Sequence, residues 1–275
     1  VCVITDSKNH GTIASSSQYV GGIAGYAAKV TVTGCLNEGS VTASSTNAGI
    51  VGSASGAVIK DCTNTGHIIG SRNYTAGIVA STTGATTVER CDNEGVITSD
   101  NYAVGIAGNT NGGSITRCVN YGTLKGVSGA AGIGGYVSGG TAITECANFG
   151  DMTSTKDSGY VGGIVYYGYS YCTITNCYNS GSLNGAGYVG GIIAQTFASN
   201  AKNIKVTNCY NVGELSGKYV GGIVGQEYTY NANYSTDVSN SYYLDSVENA
   251  IGAERNGYYT LTDVKAVTSD EMKAM

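Results

Sequence analysis

The sequence predicts an all-β protein: a single-stranded, right-handed parallel β-helix, or solenoid, of about eight or nine coils with three short strands per coil. Three observations lead to this prediction. The motif C-x-N-x-G recurs seven times, aliphatic residues recur at fixed distances from it, and 43 glycines occur in a chain without proline. Average proteins contain about 7% glycine and 5% proline, so both departures require a structural cause.

The motif defines a repeat whose copies lie 27 to 32 residues apart. We call its cysteine the anchor position; serine replaces it in a first copy at Ser7 and in a degenerate last copy at Ser241. The anchor cysteines are Cys35, Cys62, Cys91, Cys118, Cys146, Cys177 and Cys209. A unit of this size cannot bury its apolar side alone, so it is expected to stack on its neighbours.

Each unit contains three β-prone pieces, which the copy around Cys62 illustrates. An aliphatic residue precedes the anchor by three positions (Ile59), a second follows it by six (Ile68), and a third lies in a glycine-rich segment (Ile78). Gly, Asn or Ser separates the pieces, as expected for strands joined by turns. Glycine and β-branched residues also disfavour helices.

Stacking places equivalent residues of successive coils on top of one another, about 4.8 Å apart. We expect the cysteine and aliphatic ladders inside, and a corner between the first aliphatic residue and the anchor because their positions differ in parity. The asparagine ladder is expected at a bend, with its amides bonded to each other and to the backbone. Glycines should mark corners or places without room for a side chain. Proline is absent because the next coil needs nearly every backbone N–H.

The nine cysteines are interpreted as free thiols. Side chains in one ladder point in parallel, so their Cβ atoms lie farther apart than a disulfide prefers. Cys2 and Cys172 are out of register with the ladder and are also expected in the core. We expect no metal site or cofactor, since only His10 and His67 could join the cysteines.

Composition narrows the classes of partner. The net charge is −5 and only 12% of residues are charged, which argues against nucleic acid or an anionic membrane surface. No apolar run approaches the roughly 20 residues of a membrane helix, so no membrane insertion is expected. We expect a monomer.

The strings "CYNSGSLNGAGYVGGIIA" (177–194) and "CYNVGELSGKYVGGIVG" (209–225) resemble the GLUG repeats of secreted and surface-attached bacterial proteins. These include some IgA-specific metallopeptidases and many adhesin-like proteins of Gram-positive bacteria. The resemblance covers residues 7–245 and is closest in the last three copies; "AGIVG" and "AVGIAG" replace "VGGIVG" in earlier ones. It implies an extracellular, surface-displayed segment of a larger exported protein and carries no catalytic residues with it.

Two regions are expected along the chain. Residues 1–245 should form the β-helix, and residues 246–275 a C-terminal cap and linker without coil pattern. A short helix is predicted near the end, because Thr268 and Glu271 have capping-box spacing.

The candidate ligand-binding site lies where the coils lengthen. Sixteen of the 22 tyrosines lie from Tyr160 onward. The segments 195–203 and 226–235 lengthen two successive coils, and the tyrosine-rich segment 166–171 lies at the same station in the coil before them. Insertions at matching positions project from one face, which is often the binding face. The candidate residues are Tyr166, Tyr167, Tyr169, Tyr171, Phe197, Tyr228, Tyr230 and Tyr234. We expect them to bind a glycan or a protein on a host or neighbouring cell surface.

The preferred hypothesis is thus a non-catalytic surface segment that acts in adhesion or as a spacer. The alternative is a carbohydrate-active enzyme, a polysaccharide lyase or hydrolase, because β-helices also carry such activities. Glu38 and Glu94 are the candidate carboxylates, about 9.6 Å apart across two coil spacings. The charged residues before the anchors are interpreted as modest ion pairs, Asp61 with Arg90 and Arg117 with Glu145.

Overall fold

The computed structural model describes residues 2–199, 203–230 and 233–274. Over these residues the chain winds into about nine coils and forms four parallel sheets, which confirms the predicted β-solenoid. A full coil contributes five short strands rather than the expected three, because two of the three pieces bend in the middle. The first bends just before the anchor, and the glycine-rich piece bends between its two halves.

The four sheets are numbered in the order in which a coil visits them. Sheet 1 consists of Cys2–Thr5, Lys8–Asn9, Val30–Thr33, Leu36–Asn37, Val58–Lys60, Thr63–Asn64, Thr87–Glu89, Asp92–Asn93, Ser114–Thr116, Val119–Asn120, Thr141–Thr144, Ala147–Asn148, Cys172–Thr175, Tyr178–Asn179, Ile204–Thr207, Tyr210–Asn211, Thr236–Leu244 and Tyr259–Val267. Sheet 2 consists of Ile13–Ser15, Val41–Ala43, Ile68–Gly70, Ile97–Ser99, Leu124–Gly126, Met152–Ser154, Leu183–Gly185 and Leu215–Ser216. Sheet 3 consists of Val20–Gly21, Asn47–Ala48, Tyr74–Ala76, Tyr102–Val104, Gly129–Ala131, Tyr160–Gly162, Tyr188–Gly190 and Tyr219–Gly221. Sheet 4 consists of Ala24–Ala28, Val51–Ser55, Val79–Thr83, Ala107–Asn111, Gly134–Ser138, Val165–Tyr169, Ile193–Ala198, Val224–Thr229 and Ile251–Glu254.

Equivalent residues of successive coils are paired in register, as expected. Ile59 lies opposite Val88 in sheet 1, and the same column continues through Ile115. The anchor cysteines lie in sequence inside the solenoid: the backbone N–H of Cys91 is 3.5 Å from Sγ of Cys118. All seven anchor cysteines are free and buried. The main core therefore consists of stacked aliphatic side chains and thiols.

The corner before the anchor has a specific backbone conformation that the sequence analysis did not identify. The preceding residue has positive φ in every copy, for example +55° at Asp61 and +55° at Glu145. An L-residue in this left-handed conformation costs about 1–2 kcal/mol relative to its preferred one, with Gly, Asn and Asp tolerating it best. Three copies place asparagine here and one places glycine, but three place Arg or Glu. The stacking of the coils holds these residues in the left-handed conformation despite its cost.

The asparagine ladder forms as predicted. From Asn9 to Asn179 the side-chain amide donates to the next asparagine and to the glycine carbonyl two residues on, and Asn211 donates to Gly213 alone. For Asn120 these bonds are 2.7 Å to Oδ1 of Asn148 and 2.9 Å to the carbonyl of Gly122. The bonded series is Asn9, Asn37, Asn64, Asn93, Asn120, Asn148, Asn179 and Asn211. Burial is complete from Asn37 onward. The repeat glycines leave room for it: a Cβ on Gly105 would lie 2.5 Å from Oδ1 of Asn120.

The two cysteines outside the ladder differ from each other. Cys172 is fully buried, as expected, but Cys2 is exposed, so its expected place in the core is wrong. The physical reason is that no coil of the described residues covers the first one.

The segment after Asp245 continues the stack, which corrects the expectation that it lacks a coil pattern. Ile251–Glu254 pairs with Val224–Thr229 in sheet 4, and Tyr259–Val267 pairs with Thr236–Leu244 in sheet 1. Val264 occupies the anchor column opposite Ser241, and Asp263 before it again has positive φ (+52°). This layer covers much of the eighth and ninth coils.

The predicted terminal helix is present at Ser269–Lys273. Thr268 is its N-cap, and the side chains and backbones of Thr268 and Glu271 form the reciprocal capping box. None of the described helical segments is long and apolar enough to cross a membrane.

Candidate ligand-binding face

Sheet 4 presents two columns of outward-facing side chains, since residues alternate between its two faces. The columns change character along the rod. The first column reads Tyr26, Ser53, Ser81, Asn109, Tyr136, Tyr167, Gln195 and Gln226. The second column reads Ser55, Thr83, Asn111, Ser138, Tyr169, Phe197 and Tyr228. Apart from Tyr26 in the first coil, small polar side chains give way to aromatic rings halfway along the sheet, and the first column ends in two glutamines.

Five of these rings form a continuous stack, which we call the aromatic face: Tyr136, Tyr167, Tyr169, Phe197 and Tyr228. The ring centroids of Tyr136 and Tyr167 are 5.3 Å apart with an interplanar angle of 12°. Tyr169 and Phe197 are 5.4 Å apart at 10°. Phe197 meets Tyr228 edge to face at 4.6 Å. Each contact lies in the range where aromatic pairs attract.

The stack ends at a cation. The guanidinium carbon of Arg255 lies 4.5 Å from the ring centroid of Tyr228, within the distance of a cation–π interaction. Tyr230 follows on the same coil and is 66% exposed. Arg255 was not among the predicted site residues, because the residues after Asp245 were assigned to a separate cap.

The other predicted residues do not join the aromatic face. Tyr166 is buried, with its ring 4.7 Å from that of Tyr102 and 5.8 Å from that of Tyr160, so it supports the sheet rather than facing solvent. Tyr234 is partly buried against the main core. Parts of the inserts, residues 200–202 and 231–232, lie outside the described residues.

Tyr171 belongs to the turn after sheet 4. A Cβ built on Gly140 would lie 2.8 Å from Cε1 of Tyr171, so the ring covers that glycine.

Sheet 3 carries a second tyrosine stack, which sequence reasoning missed. Tyr160 and Tyr188 are stacked at 4.9 Å, and Tyr188 and Tyr219 at 4.8 Å. The Tyr160 hydroxyl donates to Oε1 of Gln226 (3.2 Å), which also accepts a bond from Gln195. The signal was available: these tyrosines recur at one position, four residues before the GGI isoleucine.

A groove of about 420 Å³ lies at the boundary between the polar and aromatic halves of sheet 4. Its lining includes Thr83, Asn109, Asn111, Ser138, Tyr136 and Tyr169. Of the predicted site residues only Tyr169 lines this groove, and Tyr136 was overlooked because it precedes the enlarged coils. The two asparagines can be recognised as site residues only from the strand register, which places them beside the rings.

The rings keep this surface uncharged. Burial raises the pKa of the Tyr136 phenol and that of Tyr167 above the ordinary tyrosine value. Both phenols therefore remain protonated at neutral pH and can donate as well as accept hydrogen bonds.

The candidate carboxylates lie elsewhere, on the outer side of sheet 1. Glu38 and Glu94 are exposed and are separated by the coil of Thr65, as the register of the adjacent asparagines requires. His10 contacts the Glu38 carboxylate. Nothing brings the two glutamates to the groove on sheet 4.

The expected ion pairs form. Arg90 Nε lies 2.7 Å from Oδ1 of Asp61, and Arg117 Nε lies 2.8 Å from Oε2 of Glu145. Hydrogen bonding from Arg90 lowers the pKa of the Asp61 carboxyl. All four side chains are largely exposed, so these pairs contribute little to stability.

The described part of the chain contains no group of three or more His, Cys, Asp and Glu side chains arranged to hold a metal ion. Comparison of the chain with protein-family models, curated proteins and solved structures finds no match.

Proposed function

We propose that this chain is a non-catalytic, surface-displayed segment of a larger exported bacterial protein, and that it acts in adhesion through the aromatic face. The observation that carries the proposal is the uninterrupted series of stacked rings from Tyr136 to Tyr228 on one side of a rigid rod. Aromatic side chains are enriched at binding surfaces because they offer large contact areas with few rotatable bonds.

The fold is suited to the display of a binding surface. A solenoid holds its outer columns at fixed spacing, so a binding surface needs no separate scaffold. The resemblance to GLUG repeats supports the proposed extracellular location and the adhesin-type role. The exposed positions of Glu38 and Glu94 support a non-catalytic role, because a glycosidase surrounds its carboxylates with a substrate cleft.

The experiment compares binding by the wild-type chain with that of an aromatic-face variant, Y167S/Y169T/F197T/Y228T, on a glycan array and on immobilised cell-surface proteins. Ser and Thr already occupy these columns at Ser81 and Thr83, so the backbone should tolerate them. We expect binding to fall at least tenfold.

A matched control uses exposed rings on another face. Tyr121 and Phe149 are stacked at 5.3 Å on the outside of sheet 1, and Y121T/F149T should bind like wild type. Equal loss in both variants would contradict the proposal, as would the absence of any ligand for the wild-type chain.

A further inference from the structure

We propose that the groove on sheet 4 is a binding site for a neutral oligosaccharide, whose sugar rings lie against Tyr136 and Tyr169 while Asn109 and Asn111 hold their hydroxyls. This inference rests on the proposed function and specifies its ligand. It follows from the position of the groove, from the unpaired amides in it and from its lack of charge.

The position of the groove combines two kinds of surface. On one side, Asn109 and Asn111 occupy the outward columns of the strand Ala107–Asn111; on the other, Tyr136 stacks on Tyr169 at 5.6 Å. A pyranose ring also has two kinds of surface, an apolar C–H face and a rim of hydroxyls. Aromatic rings suit the first and amides the second, as in small-molecule sites where a few polar groups orient the ligand.

The amides are free to bind. Asn109 is half-buried and Asn111 is exposed, and within the described residues neither side chain has a hydrogen-bond partner, in contrast to the bonded ladder asparagines inside the coil. An amide presents both two donors and one acceptor oxygen, so it can bond to a sugar hydroxyl in either sense. The hydroxyl of Thr83, in the column of Asn111, adds a further donor and acceptor at the same rim.

The lining also favours a neutral ligand. None of the side chains that line the groove is charged at neutral pH, and burial raises the pKa of the Tyr136 phenol further above the physiological range. The cation of the aromatic face, Arg255, contacts Tyr228, which lies three coils beyond Tyr136. An acidic sugar would lose hydration in the groove without gaining a counter-charge.

The volume is compatible with a short segment of a glycan. At about 420 Å³ the groove lies in the lower part of the range for ligand sites, roughly 300–1,000 Å³. It is open, and the aromatic face continues from it along the axis of the rod. A chain of sugars can therefore extend from the groove over Tyr167 and Phe197, which stack at 6.5 Å.

The test titrates the chain with four neutral oligosaccharides, cellotetraose, mannotetraose, xylotetraose and triacetylchitotriose, and with acidic tetragalacturonate. Binding is followed by saturation-transfer NMR and calorimetry. We expect at least one neutral oligosaccharide to bind with an affinity insensitive to salt, and tetragalacturonate to bind more weakly. The double variant N109S/N111T should weaken binding about tenfold or more, the equivalent of about 1.4 kcal/mol.

The substitutions are matched to the fold. Ser81 and Thr83 stand at the two positions in the preceding coil, so N109S/N111T keeps residue types that this sheet already accepts. S55A, in the column of Asn111 but two coils away, serves as the control and should bind like wild type. Circular dichroism and the melting temperature establish that each variant is folded.

The outcomes separate this inference from the proposed function. Binding that the aromatic-face variant loses but N109S/N111T retains would overturn the groove and leave the adhesive face standing. Preference for tetragalacturonate, or no binding to any of the four neutral sugars, would also overturn it. In that last case, binding of an immobilised protein through the aromatic face would still support the proposed function, and its absence would contradict both.

Discussion

The ring of Tyr166 occupies the space above Gly129: a Cβ built on that glycine would lie 2.5 Å from Cε2 of the ring. Gly129 interrupts a column of tyrosines in sheet 3, since it pairs with Tyr102 on one side and Tyr160 on the other. Tyr166 in turn stands where the sheet-4 strands of the neighbouring coils have small residues, Gly135 and Ala194. The missing side chain in one sheet is replaced by an additional ring from the next.

This complementarity predicts strong coupling between the two positions. G129Y alone should destabilise the fold by about 1–3 kcal/mol through overpacking, and Y166A alone by about 3–5 kcal/mol through the cavity it leaves. The double variant G129Y/Y166A should be destabilised by less than the sum of the two single variants, because the new tyrosine fills the vacated space. Urea denaturation measures all three.

Tyr26 is the control for this cycle, since it is 62% exposed and Y26A should change stability little. If the losses in unfolding free energy of the two single variants simply add in the double variant, Tyr166 does not occupy the space that a side chain at position 129 would fill.

The asparagine ladder should be intolerant of substitution. N120L removes the bonds to Asn148 and Gly122 and the acceptor for Asn93 (2.8 Å), leaving buried polar groups unpaired. Each such group costs about 1–3 kcal/mol, so we expect a loss of several kcal/mol in the free energy of unfolding. Thermal melting monitored by circular dichroism checks this.

N120D adds a test of pH dependence. Burial raises the pKa of an introduced carboxyl, and only its protonated form can donate to Asn148. The destabilisation should therefore be largest above the raised pKa and should diminish as pH falls through it. N184D, at an exposed position on sheet 2, should show no such recovery; recovery in both variants would refute this explanation.

Thiol reactivity should distinguish Cys2 from the other eight cysteines. Burial raises the pKa of the Cys172 thiol to about 12, and burial likewise raises the pKa of Cys118 and Cys177. Buried neutral thiols react slowly. With Ellman's reagent at pH 8 we expect one rapid equivalent from the native chain and nine after denaturation.

The C2S variant should lose the rapid phase and nothing else. Fewer than nine thiols in the denatured chain without reductant would indicate disulfides and contradict the free-thiol assignment.

The corner before the anchor offers a stabilising substitution. Glu145 has φ +55°, a conformation that asparagine adopts at lower cost. In the next two coils Asn176 and Asn208 occupy this corner and are bonded to each other at 3.0 Å. E145N should extend this pair and raise stability by about 0.5–1 kcal/mol, despite the loss of the exposed ion pair with Arg117.

Differential scanning calorimetry should show a higher melting temperature for E145N and no increase for E145A, which keeps the conformational cost. A lower melting temperature for E145N would mean that the ion pair outweighs the backbone.

Much of the fold could be predicted because a solenoid repeats its own constraints. Each buried column has seven to nine equivalent positions in the sequence. Ile59 could therefore be assigned to the core by comparison with its equivalents Val88 and Ile115. The recurrence of Asn64 and its equivalents likewise predicted a bonded asparagine ladder. The last layer could not be predicted in this way, because Val264 and Asp263 keep the geometry of the anchor and its corner without the residue types usual there.

The candidate site could be predicted only in part. Enrichment in tyrosine pointed to this side of the rod, and Tyr167, Tyr169, Phe197 and Tyr228 do lie together. Composition alone does not show whether a ring faces outward or inward where a strand begins after a glycine corner. Tyr166 was therefore placed on the surface, although the ring turns into the gap above Gly129.

The sequence by itself determined the repeat, the parallel stacking and the buried ladders, because these depend on periodicity and on interactions between equivalent residues. The tertiary structure alone decided which side chains from different columns meet. Tyr160 of sheet 3 and Gln226 of sheet 4 lie 66 residues apart in the chain and are hydrogen-bonded, since two coil spacings in a parallel stack amount to only about 10 Å. Such lateral neighbours follow from the bend angles at the corners, which a one-dimensional pattern does not contain.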